Sequence, residues 1–95
     1  MKNVEFASLG KYLKEKRVKS KYTQTELADA LGNLHTQFVS NWERGLCAPP
    51  SHCFHDLIGI LKLNRVDLVE AMLEDSKKII EKKVYNKKNA RSKAG

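Results

Sequence analysis

The stretch TQTELADALGNLHTQFVSNWERG, Thr23 to Gly45, decides the fold. It opens with the pattern of a capping box. The Thr23 hydroxyl can accept from the Glu26 amide, and the Glu26 carboxylate can accept from the Thr23 amide, so two orphan donors of a helix start are satisfied together. Leu27, Ala28 and Leu31 follow at helical spacing and make one small apolar face. Gly32 then suits the left-handed conformation that ends a helix. A few polar residues later, Phe38, Val39 and Trp42 mark a second apolar face at three- and four-residue steps, and Gly45 closes it. The pattern predicts two short helices, about Gln24 to Leu31 and Thr36 to Arg44, with a tight connection.

Working toward the N-terminus, residues 1–5 are expected to fray. Phe6, Leu9 and Leu13 share a face and predict a helix from about Phe6 to Lys19, with Ser8 as an internal alternative for its cap. Gly10 inside that helix costs about 1 kcal/mol against alanine. Ser20, Lys21 and Tyr22 form the connection onward. Toward the C-terminus, GLCAPPS, Gly45 to Ser51, excludes a helix interior, because its two prolines lack amide donors and push preceding residues to extended backbone. A fourth helix can be capped by Ser51 or start on Pro50, with Phe54, Leu57, Ile58 and Leu61 inward. Gly59 within it suggests a closely approaching backbone. Asn64 can cap a fifth helix, in which Val66, Val69, Leu73 and Ile80 recur at three-, four- and seven-residue steps, with Met72, Ile79 and Val84 widening the stripe. Asp67 near its start and Lys82 and Lys83 near its end suit the helix dipole.

The organisation expected is one domain over residues 1–84 and a basic, disordered tail over 85–95, where NKKNARSKAG has no apolar periodicity. The chain is 95 residues long, 41% apolar, and has a net charge of +7 that is unevenly placed. Residues 1–24 carry seven basic and two acidic residues, residues 25–75 three and eight, and residues 76–95 eight and one. Such a basic bias favours a polyanionic partner. No apolar run approaches the ~18 residues of a membrane span. The N-terminus lacks the apolar stretch of a secretory signal, and two cysteines make no disulfide framework, so a cytoplasmic location is expected.

Several residues together resemble a known family. Leu9, Leu13 and Arg17, then Thr23-Gln24, Glu26-Leu27-Ala28, Leu31-Gly32, and Val39-Ser40-Asn41-Trp42-Glu43-Arg44-Gly45 are similar to the phage lambda and 434 repressor and Cro-type helix-turn-helix family, also called the Xre family. Pro49-Pro50-Ser51 and Leu57-Ile58-Leu61 match its usual continuation, so the resemblance covers about residues 8–62. It implies an all-α, five-helix, lambda-repressor-like DNA-binding domain whose third helix enters the major groove of double-stranded DNA. It further implies a transcriptional regulator, a repressor by expectation, that acts as a homodimer on a roughly palindromic site. Thr36, Gln37, Ser40 and Asn41 then fall at base-reading positions. Gln and Asn can pair with adenine N6 and N7, and Thr can meet a thymine methyl, so sites containing A·T pairs are favoured. Gln24, His35 and Arg44 are the phosphate candidates. Arg17 and Glu43 fall where family members form an ion pair beneath the site. The sequence departs from the family pattern in three places. The connection GNLHTQF is one residue longer, Lys21 stands where a glycine often leads into Thr-Gln and must turn left-handed, and Gly59 replaces an alanine.

Other readings carry less. Cys47, His52, Cys53 and His55 lie close together, but their spacing fits no zinc knuckle, so no metal is expected. There is no acid–base pair, phosphate loop or nucleophile set, so no enzyme, cofactor or small-molecule ligand is expected. Val66, Val69, Leu73 and Ile80 exceed what one small domain needs and are the dimerisation candidates. The competing reading is a protein-interaction or antitoxin-like module on the same fold, with DNA binding secondary. RNA binding ranks third, for want of an aromatic stacking platform.

Overall fold

A computed structural model describes residues 5–85. Within that range the chain is all-α, with five helices: α1 (Ala7–Lys19), α2 (Gln24–Ala30), α3 (Thr36–Glu43), α4 (Ser51–Leu61) and α5 (Arg65–Tyr85). The basic tail expected over 85–95 lies outside the described residues except for Tyr85, which ends α5. Each helix contributes apolar side chains to one core. Leu9 and Leu13 of α1 meet Leu27 and Ala28 of α2, Val39 and Trp42 of α3, Leu57 and Leu61 of α4, and Leu68 of α5, all of them buried. α3 packs on α1 and α2, while α5 packs on α1.

The helix ends explain how short helices are held at fixed angles. After α1, the Tyr22 amide donates to the Arg17 carbonyl and the Lys21 amide to the Val18 carbonyl. Lys21 takes φ +64°, so a lysine fills the left-handed position that glycine usually occupies. α3 ends the same way around Gly45, with Leu46 donating to Asn41 and Gly45 to Trp42. The longer α2–α3 connection is absorbed by two successive left-handed residues, Gly32 at φ +99° and Asn33 at φ +60°. The closing bond passes one residue further on, from the Leu34 amide to the Ala28 carbonyl. α3 therefore still begins at Thr36.

Four local expectations are corrected. Periodicity puts Phe38 on the inward face of the third helix, but it is 50% exposed. Ser51 does not cap α4; Pro50 holds the cap position and Ser51 is the first helical residue, with no side-chain cap bond. Gly59 has no neighbour where its Cβ would stand, so nothing approaches it closely. The close approach occurs at Gly10, where a Cβ would lie 2.5 Å from the Trp42 carbonyl oxygen and 2.7 Å from that of Glu43. The missing side chain lets α1 seat against the end of α3, which outweighs the helix-propensity cost.

The fourth correction concerns the start of α1. Ser8 is no cap; its amide is itself a donor needing a partner. Asp75 of α5 supplies that partner, accepting from the Ser8 amide at 2.8 Å and the Leu9 amide at 2.9 Å. A carboxylate at a helix N-terminus satisfies orphan donors and the dipole at once. Asp75 is only 4% exposed, so α5 is docked on α1 through a buried cap. A second tie lies at the head of α5. The Tyr12 hydroxyl accepts from the Asn64 amide at 3.0 Å and donates to the Asn64 carbonyl at 3.3 Å. The Asn64 side chain in turn caps α5, accepting from the Val66 and Asp67 amides.

Candidate nucleic-acid interface

α3 is short, and its two faces have opposite chemistry. Val39 and Trp42 point into the core and are almost fully buried. At 3.6 residues per turn, Thr36, Gln37, Ser40 and Asn41 fall together on the other side. Gln37 is exposed and the other three are partly so. The Gln37 Nε2 donates to Asn41 Oδ1 at 2.9 Å, and an Arg44 guanidinium nitrogen donates to the same oxygen at 3.2 Å. Gln37, Asn41 and Arg44 therefore form one hydrogen-bonded row along the outer face. Thr36 is joined instead to α2, its hydroxyl 3.2 Å from that of Thr25. Thr25 carries no local sequence signal for this contact, because its partner lies eleven residues on, across the turn.

His35 stands at the N-cap of α3, and its Nδ1 accepts from the Gln37 amide at 3.1 Å. An accepting Nδ1 leaves the proton on Nε2, so the outer nitrogen is a donor. The capping box of α2 is complete, with Thr23 accepting from Glu26 and donating its amide to the Glu26 carboxylate.

Behind the outer face lies a buried ionic brace. Glu43 Oε2 is 2.5 Å from Arg17 Nε, and Glu43 Oε1 accepts from Arg17 Nη2 at 3.1 Å. The two side chains are 11% and 4% exposed, Arg17 first. Gln24 adds a bond from its Nε2 to Glu43 Oε1 at 3.0 Å, and Arg17 also donates to the Tyr22 carbonyl at 2.7 Å. One carboxylate at the end of α3 is thus held by α1, by the first residue of α2 and, through Arg17, by the connection between them. Such a bidentate, fully partnered pair fixes a helix in orientation as well as position. Gln24, a phosphate candidate from the sequence, has its amide nitrogen turned inward to this brace.

Val66, Val69, Leu73 and Ile80 lie on α5, away from the residues just described, and are 64%, 53%, 61% and 58% exposed. The side of α5 that packs on α1 is carried by Leu68 and Asp75, which are buried, with Met72 partly so. Cys53 is buried and Cys47 exposed, and both are free. Burial pushes the Cys53 thiol up from its ordinary value, and the Asp56 carboxylate adds to the effect. No group of three or more metal-ligating side chains occurs among the described residues. None of the described helices is long and apolar enough to cross a membrane.

A family model described as Helix-turn-helix matches residues 13–51, the span from Leu13 of α1 to the first residue of α4. That span holds α2, α3, their connection and both sides of the Arg17–Glu43 brace, and it is the phage-repressor type of motif that the sequence resembles. This match supports a DNA-binding helix-turn-helix regulator, with double-stranded DNA as its partner. No curated protein and no solved structure matches the chain.

Proposed function

We propose that the chain is a sequence-specific transcriptional regulator, a repressor, that reads the major groove with α3 as a homodimer on a roughly palindromic site. The observation that carries this reading is the division of α3. Its inner face and its terminal carboxylate are locked to α1 and α2, while its outer face offers Gln37 and Asn41, two amides suited to adenine edges. A rigid helix presenting unburied amides is what base readout requires. Thr36 and Ser40 flank that pair as further base-reading residues. Arg44 and His35 supply donors at the two ends of the helix for phosphates, where positioning contacts belong. The second hydrogen of the Gln24 Nε2, whose first is given to Glu43, is left as a donor to a phosphate.

The second copy is assigned to α5. Val66, Val69, Leu73 and Ile80 repeat at three, four and seven residues, the period of a helix–helix seam. Left in water they would expose an apolar stripe along α5, broken only by Ser76 and Lys77 between Leu73 and Ile80, which small monomers rarely carry. The same stripe supports the competing reading, in which α5 takes up a different protein and DNA binding is secondary. Sedimentation of the full chain and of Leu73→Lys separates the two. A homodimer that dissociates on the substitution, with loss of dyad-symmetric sequences from a randomised duplex selection, supports the repressor reading. A monomer that selects no dyad contradicts it.

A further inference from the structure

We infer that Phe38 is a specificity residue that receives a thymine methyl group in the major groove. This inference rests on the reading of α3 as the groove-entering helix and deepens it. Phe38 is 50% exposed and, among the described residues, is the exposed large apolar side chain of α3. The remaining exposed apolar groups lie on α1 and α5, so Phe38 is not a member of a contiguous apolar patch along its own helix. It stands instead beside polar groups. Asn41 is its i+3 neighbour, about 60° away around the helix axis, and Gln37 lies about 100° away on the same side.

The combination fits one base-pair chemistry. An adenine edge in the major groove offers N7 and N6 to an amide, and its thymine partner offers O4 and a 5-methyl group. Gln37 and Asn41, joined to each other at 2.9 Å, supply the amides. Phe38, at the margin of the same face, supplies the apolar surface that a methyl group needs. A protein-docking role for Phe38 would call for apolar neighbours to extend the patch, and its helical neighbours on the outer side are amides. A lone aromatic ring next to two adenine-reading amides is matched by a run of A·T pairs.

The test uses the full chain and the duplex enriched from a randomised pool. Each thymine of that duplex is replaced singly by deoxyuridine, which removes only the 5-methyl group, and binding is measured for the native chain, Phe38→Ala and Phe38→Leu. One thymine per half-site is expected to lose affinity about fourfold on demethylation, the effect of burying one methyl group. Phe38→Ala is expected to lose affinity on the thymine duplex and to be indifferent to that one replacement. Phe38→Leu should keep part of the sensitivity, and it carries the test alone if the alanine variant does not fold. Sensitivity to the remaining thymines should persist in both variants. If every demethylation penalty is the same in the native chain and in the variants, Phe38 does not touch a methyl group and the inference is overturned, leaving its ring as a surface for protein. If no duplex is enriched at all, the groove reading of α3 fails and this inference falls with it.

Discussion

Replacing Asp75 with asparagine tests whether a single buried carboxylate docks α5 onto the helix-turn-helix. The native carboxylate takes two amide donors, Ser8 at 2.8 Å and Leu9 at 2.9 Å. Asparagine keeps the shape but turns one of the two acceptors into a donor. One N–H would then face another across a site that is 4% exposed, where water cannot step in. Hydrogen bonds to a charged partner contribute about 1.5–3 kcal/mol. Losing one, and reducing the other to a neutral bond of about half the strength, removes about 3 kcal/mol in total. Small domains have about 5–15 kcal/mol to lose, so the effect is a substantial fraction. In a domain of 60–100 residues it corresponds to a fall in Tm of about 12–24 °C. Thermal and urea melts followed by circular dichroism would measure it. Hydrogen exchange would place it, since protection of the Ser8 and Leu9 amides should fall first. A Tm within about 3 °C of the native value, with those amides still protected, would refute the assignment of Asp75 as the cap of α1.

Three further outcomes follow from the packing. Gly10→Ala should destabilise the fold by about 1–3 kcal/mol, despite alanine's better helix propensity, because its Cβ would meet the carbonyls of Trp42 and Glu43; a stabilised variant in urea melts would contradict the close approach of α1 and α3. Arg17→Met should cost about 3–5 kcal/mol by leaving the Glu43 carboxylate buried without its cation. The double variant Arg17→Met, Glu43→Gln should recover part of that loss in the same melts, and no recovery would show that the two side chains act independently. In the native chain a thiol reagent near neutral pH should modify Cys47 quickly and Cys53 only on unfolding, since burial and Asp56 hold the Cys53 thiol in its protonated form; two fast thiols would contradict this.

What could be read in the sequence was local. The Thr23–Glu26 capping box, the cap at Asn64 and the helix end at Gly45 each depend on residues within a few positions, so the chain states them directly, while the left-handed Lys21 followed from the family resemblance, in which a glycine is usual there. The set Thr36, Gln37, Ser40 and Asn41 came from the resemblance to the repressor family, and the structure places these residues on the side of α3 away from Val39 and Trp42. Contacts between distant segments were not legible. Nothing around Ser8 points to Asp75, 67 residues on, and Asp75 in its own helix looks like any acidic surface residue. Gly10 reads as a weak helix position until α3 is seen against it. Phe38 reads as core because periodicity alone cannot tell the margin of an apolar face from its centre. In α5 the apolar residues divide between a buried side led by Leu68, which the periodicity did not single out, and an exposed side of Val66, Val69, Leu73 and Ile80.

The most direct measurement of the central reading is binding of the enriched duplex to the native chain and to the double variant Gln37→Ala, Asn41→Ala, at two salt concentrations. If α3 reads bases, the variant should lose about 1–3 kcal/mol of discrimination for each base contact removed, at both salts, while its binding to unrelated duplex and its salt slope stay unchanged. If the variant discriminates as well as the native chain, and binding of both falls with salt regardless of sequence, the amides of α3 do not read DNA and the account is contradicted.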